Sequence, residues 1–275
     1  MLSVIVPTKA EEYLEKTVND LLTKAAGDIE ILVGFDGEQA APDFTDKRVR
    51  CYTLPLTDGN QMRHVVNRGV ELAQGAYLMK VDAHVMMDEG YDQVLIENHA
   101  ENLVQIPRRY RLDPDRWCFQ ETDRPPVDYE YLRWDPVRTG EGFHGHKWDE
   151  RSLARVDIPI DPTLSFQGAC WFMSKDWFQQ IGILQTEGYG GFYLEPEEIA
   201  FQARQHGGDV VVNKKTWYAH AHKPRHYQMN KQERSAYGYA FNFWVHGRRR
   251  LFTEIINRFM PIPRWPEDWE RYVYG

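Results

Sequence analysis

The chain contains 275 residues, carries a formal net charge of −8 at pH 7 and has an apolar fraction of 42%. This length and composition exclude a disordered polypeptide and predict one large domain, or a domain with an extension. The negative charge argues against indiscriminate binding to nucleic acid or anionic membranes, although it is compatible with a local basic surface.

Three further features concern the compartment. No run of about 18 apolar residues occurs, so no transmembrane helix is expected. The first predicted strand begins at Ser3, which leaves no room for a signal peptide. Cys51, Cys118 and Cys170 form no Cys-x-x-Cys pair and suit a reducing environment. We therefore expect a soluble, cytoplasmic protein with no membrane partner.

The first part of the chain alternates between apolar runs, typical of buried strands, and stretches of helical periodicity. The strands are predicted at residues 3–8, 29–35, 49–54, 76–82 and 103–107, and the helices at residues 11–24, 60–73 and 88–100. Such alternation predicts a mostly parallel sheet with helices on both faces. In sheets of this kind, ligands bind beyond the carboxyl ends of the strands.

The second part begins with an irregular insert. Residues 108–162 are rich in Arg, Asp, Pro and Trp and show little apolar periodicity, which is typical of a functional loop region. Regular structure then resumes, with strands predicted at residues 166–173, 209–213 and 216–222 and helices at 175–181 and 195–206. The tail is predicted to be helical over residues 231–259 and ends in an aromatic, proline-rich segment.

Polar residues follow several of the predicted strands. The carboxyl ends of three predicted strands carry Pro7 and Thr8, Asp36, and the pair Asp82 and His84, respectively. Asp82 and His84 are two residues apart, so in an extended chain their side chains project to the same side. A carboxylate and an imidazole together can hold a divalent metal ion. The alternative is a strand that simply ends in polar residues.

An ordered set of motifs resembles the glycosyltransferases of the GT-A fold, particularly family 2. The motifs are Ser3–Thr8, Asp36-Gly37, Asn67-Arg68-Gly69, Phe166-Gln-Gly168 and Glu197-Glu198-x-x-Phe201-x-x-Arg204, and the similarity covers roughly residues 3–222. It implies an α/β, Rossmann-like GT-A domain over residues 1–230, with a nucleotide-sugar half at about 1–107 and an acceptor half at about 108–230. Residues 231–275 would form a helical, aromatic C-terminal extension.

The motif Asp82-x-His84 replaces the Asp-x-Asp of family 2 and resembles the polypeptide GalNAc-transferases. That resemblance assigns the late metal ligand to His220, and His222 is the second choice because it lies on the same side of an extended chain. It implies an Mn²⁺ or Mg²⁺ ion held by Asp82, His84 and His220. It leaves open whether the anomeric configuration is retained, as in those relatives, or inverted, as in most of family 2.

The resemblance also implies a nucleotide-sugar donor, with UDP as the expected nucleotide. Asp36 would accept a hydrogen bond from the uracil N3–H, while Pro7 and Thr8 flank the base and ribose. Arg63 and Asn67, one helical turn apart, together with Asp82, complete the predicted donor site. The alternatives are a turn role for Asp36 and a solvated surface position for Arg63.

Three glutamates are candidates for the base that removes a proton from the acceptor hydroxyl. Glu198 takes this role on the family 2 alignment and Glu195 on the alignment with the GalNAc-transferases, while Glu197 is a rival. All three lie in the first turn of a predicted helix, where carboxylates are stabilised without any catalytic role.

The acceptor is predicted to bind the insert and the tail, through aromatic stacking and basic clusters; the alternatives are core or loop packing for the tryptophans and a solvated surface for each basic cluster. The candidates are Trp117, Trp134, Trp148, Trp171, His144, His146, Arg108, Arg109, Arg111, Lys214, Lys215, Lys223, Arg225 and Arg248 to Arg250. Residues 220–227 and 242–246 resemble phage-encoded proteins that attach sugars to hydroxymethylated bases in DNA. The acceptor is therefore a glycan, a small molecule or a hydroxymethylpyrimidine in DNA, the last modified in the cytoplasm of a phage-infected host. A non-catalytic module that binds a nucleotide-sugar or nucleic acid is the second alternative.

Overall fold

The computed structural model describes residues 1–57, 59–120, 124–134, 143–222 and 231–275. The strands are β1 Leu2–Thr8, β2 Ile29–Asp36, β3 Val49–Leu54, β4 Tyr77–Val81, β5 Val85–Met87, β6 Leu103–Asp113, β7 Cys118–Phe119, β8 Glu130–Arg133, β9 His144–Lys147, β10 Ile160–Pro162, β11 Cys170–Ser174 and β12 Asp209–His220. The helices are α1 Leu14–Lys24, α2 Met62–Leu72, α3 Tyr91–Glu97, α4 Asp149–Ala154, α5 Lys175–Ile181, α6 Glu195–Gln205, α7 Lys231–Phe241, α8 Arg249–Phe259 and α9 Arg271–Tyr274, with a π-helix at Asn242–His246.

The central sheet has the strand order β10-β12-β6-β11-β4-β1-β2-β3, with β5 added to β12 and β7 to β6. The pairs β1–β2, β1–β4, β2–β3 and β6–β12 are parallel. The predicted α/β sheet flanked by helices is confirmed. The exception to the parallel arrangement in the middle of the sheet is β11, which lies between β4 and β6 and runs antiparallel to both. An apolar run reveals burial but not strand direction, so the sequence could not show this reversal.

The central strands are buried on both faces. Val4 and Val6 of β1 pack with α1 on one side, while Ile5 packs with α2 on the other. Successive side chains of a strand point to opposite faces, so one short apolar run supplies both layers. The strands β1, β2 and β4 are therefore packed on both faces up to their carboxyl ends, and those ends carry the polar residues identified above.

Gly69 explains part of the motif Asn67-Arg68-Gly69. A Cβ atom at this position would lie 2.6 Å from the Tyr52 hydroxyl and 2.7 Å from the Ile5 side chain. Helix α2 thus packs on the sheet at a distance that only glycine permits. This close packing fixes the N-terminal end of α2 beside Asp36 at the end of β2.

The insert and the tail pack together into a second aromatic layer. The hairpin of β8 and β9 joins α6, α7, the π-helix and α8 in one buried cluster, whose members include Trp134, Phe143, Phe201, Trp244 and Phe252. The predicted helical tail is confirmed, although the π-helix and a break before Arg249 interrupt it. A domain boundary near residue 230 stays a prediction. Among the described residues, no helix has the length and apolar character needed to cross a membrane.

Glu197 fastens the β8–β9 hairpin to α6. Its buried carboxyl accepts hydrogen bonds from the Gly145 N–H at 2.6 Å and from the Ser165 hydroxyl at 3.1 Å. Burial raises the pKa of Glu197 to about 7, and the neighbouring Glu130 carboxyl adds to the rise. The protonated form is therefore the one that the fold favours.

This pKa predicts a measurable pH dependence of stability. The folded-state pKa of Glu197 lies above its ordinary value of 4.5, so the free energy of unfolding should fall as pH rises from about 4.5 through about 7. Glu197→Gln keeps an acceptor for Gly145 and cannot titrate. Between pH 5 and pH 8, urea unfolding should show that the free energy of unfolding of the wild type falls by about 2 kcal/mol more than that of this variant. Glu71→Gln, at an exposed position, is the control, and equal slopes for wild type and Glu197→Gln would contradict the prediction.

Candidate active site

Asp82, His84 and His220 meet at the carboxyl edge of the sheet. Asp82 follows β4, His84 precedes β5 and His220 ends β12. The antiparallel pairing of β5 with β12 places Val85 opposite His220, and the Ala221 N–H donates to the His84 carbonyl at 3.1 Å. The candidate ligand atoms of the three residues all lie within 4.8 Å of one another. The structure thus brings together the three predicted metal ligands.

The geometry of this group leaves ligand atoms available. His220 Nε2 lies 3.3 Å from Asp82 Oδ2, and His84 Nε2 lies 4.0 Å from the same oxygen. His220 Nδ1 is buried and makes no hydrogen bond within the described part of the chain, and the contact of the buried Nε2 is the one with Asp82. Leaving a buried polar atom without a partner costs free energy. A metal ion bound by the imidazole would remove that cost.

The protonation states also fit a metal ion. Burial alone would raise the pKa of Asp82, but the Lys80 ammonium, 2.8 Å away, and the two imidazoles outweigh it and hold this pKa well below its usual range. Burial lowers the pKa of His220 despite the attraction of Asp82. An ionised carboxylate and a neutral imidazole are the forms that bind metals. One oxygen and two nitrogens suit a borderline ion such as Mn²⁺ better than Mg²⁺, which prefers oxygen.

His222, the second choice for a ligand, lies beside this group. Its ring centroid is 5.2 Å from that of His220, and it faces a cavity lined by Arg109 and Arg111. Burial lowers the pKa of His222 to about 4, and the positive charges of the neighbouring groups contribute. Of the two histidines considered as the third metal ligand, His220 is the one whose ring nitrogens lie close to Asp82 and His84.

The predicted base-binding residues lie at the ends of β1 and β2. Asp36 is buried and accepts hydrogen bonds from the Gln61 N–H at 2.9 Å, the Gln61 side-chain amide at 3.0 Å and the Lys9 ammonium at 3.1 Å. A carboxylate has about four acceptor positions, so one remains. The buried Thr8 hydroxyl has no partner among the described residues, and Pro7 beside it is partly exposed. These groups are available to a ligand.

Arg63 and Asn67 have a different role from the one predicted. Arg63 has no exposed surface and donates to Glu198 and to the Tyr193 and Gln185 carbonyls. The Asn67 amide bonds twice with the Leu184 backbone, at 2.8 and 3.1 Å. Because these side chains are already occupied, they hold the segment before α6 in place. This corrects the prediction that they contact the donor.

The three glutamates are separated by their surroundings. Glu198 has no exposed surface, and its two oxygens are already bonded to Arg63 and to the Gln185 N–H. Its choice as first candidate for the base stays a prediction, which this arrangement does not support. Glu197 faces the β8–β9 hairpin. Glu195 alone is linked to the metal-ligand group, because its Oε2 lies 3.4 Å from Lys80 Nζ. Its Oε1 accepts from the Trp171 indole at 2.6 Å.

Lys80 is a residue of this candidate site that the sequence analysis missed. It is buried in β4 and donates to Asp82 and, at 2.6 Å, to the Gly168 carbonyl. A lysine within an otherwise apolar strand is rarely buried without a carboxylate partner. That signal was visible in the run Tyr77–Val81 and could have pointed to this pair.

The predicted acceptor-binding residues are mostly engaged in packing. Trp134 and Trp148 lie in the aromatic cluster, and the Trp117 indole donates to Asp20 at 3.1 Å. Several members of the basic clusters have internal partners: Arg108 with Asp128, Lys214 with the Arg155 carbonyl, Lys215 with Asn98, Arg248 with Gln205 and Arg250 with Glu254. Lys223 and Arg225 lie outside the described residues. The basic residues that face a cavity near His220 are Arg109, Arg111 and Arg124.

The fold is similar to that of two solved structures. "Crystal structure of GalNAc-T7 with UDP, GalNAc and Mn2+" matches with a TM-score of 0.68 at 14% identity, covering 99% of this chain and 53% of that chain. "Crystal structure of S. aureus TarS" matches with a TM-score of 0.51 at 16% identity, covering 81% of this chain and 37% of that chain. At these identities the likeness shows the fold, which is GT-A.

Curated proteins and a family profile give the sequence relationship. The chain is 28% identical over 305 residues to "Putative polypeptide N-acetylgalactosaminyltransferase 13" of Drosophila melanogaster, covering 100% of this chain and 49% of that protein. It is 24% identical over 155 residues to "Uncharacterized glycosyltransferase EpsJ" of Bacillus subtilis strain 168, covering 54% of this chain and 44% of that protein. The chain therefore spans about half the length of the curated relatives it matches. The profile described as Glycosyl transferase family 2 matches residues 3–182, more than half of the chain, and the chain accordingly belongs to that family.

Proposed function

We propose that this protein transfers a sugar from a UDP-sugar to a hydroxyl acceptor, with Mn²⁺ held by Asp82, His84 and His220. One observation carries the proposal: an ionised carboxylate and two imidazoles converge, and the buried His220 nitrogens lack other partners. Two comparisons support it. The structural neighbour GalNAc-T7 was solved with UDP, GalNAc and Mn²⁺, and the Drosophila relative is named an N-acetylgalactosaminyltransferase.

The donor would lie along the carboxyl ends of β1, β2 and β4. The remaining acceptor position of Asp36 suits the N3–H of uracil, and the unpartnered Thr8 hydroxyl suits a polar group of the base or ribose. Since β4 is next to β1 in the sheet, a nucleotide seated here would place its diphosphate towards Asp82. When bound, a divalent ion would supply Lewis-acid stabilisation of the charge that develops on the leaving diphosphate.

The protein's own residues prepare this chemistry. Lys80 holds Asp82 Oδ1, so Asp82 remains ionised and Oδ2 lies on the side of the two imidazoles. Glu195 is the candidate base that takes the proton of the attacking hydroxyl. The Trp171 indole and Lys80 orient its carboxylate and leave acceptor positions open, since these are the two donors that contact it among the described residues.

The metal ligands give the first prediction for activity. Asp82→Asn keeps the shape of the side chain but removes the charge that binds the ion. UDP release from UDP-sugars in the presence of Mn²⁺ should fall by at least roughly 100-fold. Loss of a residue that only supports a metal ligand lowers activity by up to about 100-fold, and loss of a ligand itself should do at least as much. Isothermal titration should show a parallel loss of Mn²⁺ binding.

Asp46→Asn is the matched control, because Asp46 is a surface residue paired with Arg48. It should retain both Mn²⁺ binding and UDP release. Wild-type activity that persists in EDTA, or an Asp82→Asn enzyme that releases UDP normally, would contradict the metal assignment.

The glutamates give the second prediction. Glu195→Gln should lower kcat by about 100-fold or more, because general base catalysis contributes about that much, and should leave donor KM nearly unchanged. It should cost less stability than Glu198→Gln does, because the buried Lys80 keeps Asp82 as an ionic partner. Glu198→Gln should instead destabilise the protein by about 3 kcal/mol or more, because it leaves Arg63 charged, buried and without its carboxylate partner.

Thermal unfolding and kcat, corrected for the folded fraction, distinguish the two variants. If Glu198→Gln folds normally but loses kcat while Glu195→Gln stays active, the base is Glu198 and this assignment is wrong.

A further inference from the structure

Glu11 lies at the Nδ1 end of the His84 ring. Glu11 Oε2 is 3.4 Å from His84 Nδ1, whereas His84 Nε2 is 4.0 Å from Asp82 Oδ2. The imidazole therefore stands between two carboxylates, with a different nitrogen nearer to each. Glu11 does not belong to the group of converging ligand atoms in the described part of the chain. By these distances it is a neighbour of a proposed metal ligand.

The fold fixes the separation of these two side chains. One of them precedes α1 and the other precedes β5, and side chains of α1 accept hydrogen bonds from the backbone of β5. The Val85 N–H donates to the Thr17 hydroxyl at 3.1 Å, and the Met87 N–H donates to the Asp20 carboxylate at 2.7 Å. The other edge of β5 pairs with β12. The turn that carries the histidine is thus held between α1 and the sheet.

A metal ion on His84 Nε2 would place a requirement on Nδ1. A neutral imidazole that binds a metal through one nitrogen carries its proton on the other. His84 Nδ1 is buried and makes no hydrogen bond within the described ranges, so an N–H there needs an acceptor. Glu11 Oε2 is at ion-pair distance without being aligned for a hydrogen bond. The last torsion of a glutamate side chain is soft, so a small rotation is enough to align it.

We propose that Glu11 is a positioning residue for His84: it accepts the Nδ1–H and so keeps the Nε2 lone pair directed at the metal ion beside Asp82. The proposal rests on the metal site of the proposed function. Histidines that bind metals almost always donate their other N–H to a carboxylate, a carbonyl or water, which fixes the ring and raises the basicity of the ligating nitrogen.

His84 needs such a partner more than His220 does. His220 belongs to β12, whose backbone is hydrogen-bonded into the central sheet, whereas His84 lies in the short turn between β4 and β5. A ligand on a regular strand is held more precisely than one on a loop, where neighbouring side chains have to fix the ring. Glu11 is the carboxylate placed to do this.

The first arm of the test reads the tautomer of His84 in metal-free protein. Nitrogen-15 NMR of histidine-labelled protein, in EDTA at pH 8, distinguishes a protonated from an unprotonated ring nitrogen, and His84→Gln identifies the signals of His84. The wild type should carry the proton predominantly on Nδ1. In Glu11→Ala the ratio of the Nδ1–H form to the Nε2–H form should fall by about tenfold, the effect of losing a hydrogen bond to a charged group.

Two further variants separate a specific hydrogen bond from a general disturbance. Glu11→Gln keeps an oxygen that can accept the Nδ1–H but removes the charge, so its tautomer ratio should lie between those of the wild type and Glu11→Ala. Glu15→Ala removes a carboxylate from the exposed surface of α1 and should match the wild type. An unchanged tautomer ratio in Glu11→Ala would overturn the proposal.

The second arm measures Mn²⁺ binding, with and without UDP, by electron paramagnetic resonance at pH 8. Glu11→Ala should bind Mn²⁺ at least about tenfold more weakly than the wild type, the usual effect of losing a group that supports a metal ligand. Glu11→Gln should be intermediate, and Asp82→Asn gives the loss expected for a ligand itself. Affinities are compared per folded molecule, with the folded fraction taken from thermal unfolding.

Two results of the second arm would also overturn the proposal. Wild-type affinity in Glu11→Ala would show that the contact does not act on the metal. Losses in Glu11→Gln and Glu11→Ala as large as that in Asp82→Asn would show that Glu11 is itself a ligand. Wild-type protein that binds no Mn²⁺, with or without UDP, would contradict the metal site of the proposed function instead, while the tautomer measurement still decides whether Glu11 holds His84.

Discussion

The candidate active site is built around an ion pair between the buried Lys80 and the partly exposed Asp82. Removing a lysine ammonium from water is costly, and the cost is offset here by two carboxylates and the Gly168 carbonyl within 3.4 Å. The pair occupies one oxygen of Asp82 and keeps the carboxylate ionised. The other oxygen therefore lies against the imidazoles of His84 and His220, and the same lysine connects Asp82 to Glu195.

The sheet explains why these groups converge. Parallel strands place the residues after β1, β2 and β4 at one edge, which accounts for Thr8, Asp36 and Asp82. His220 is distant from Asp82 in the sequence but lies beside it in the fold, because β12 pairs with both β6 and the short strand β5. The second, aromatic layer is held on α6 by residues such as Glu197, so the helix that carries Glu195 is anchored on both sides.

Much of this site could be predicted from the sequence. Asp82 and His84 are two residues apart in the short turn between β4 and β5, so their proximity could be expected from spacing, and the family resemblance supplied His220. The roles of Arg63 and Glu198 and the contact of Lys80 with Glu195 could not be predicted, because each depends on a partner far along the chain: Glu198 is 135 positions from Arg63, and Glu195 is 115 from Lys80. The antiparallel direction of β11 was missed for a similar reason, since local periodicity records burial but not how the chain returns to the sheet.

Anomalous diffraction at the manganese edge, from crystals soaked with Mn²⁺ and UDP, would locate the ion without any assumption about the acceptor. We expect one strong peak in contact with Asp82 Oδ2 and with one ring nitrogen each of His84 and His220, at about 2.0–2.3 Å, with the UDP diphosphate on its open side. A peak bound elsewhere, or UDP bound with its diphosphate away from Asp82, would contradict the proposed site.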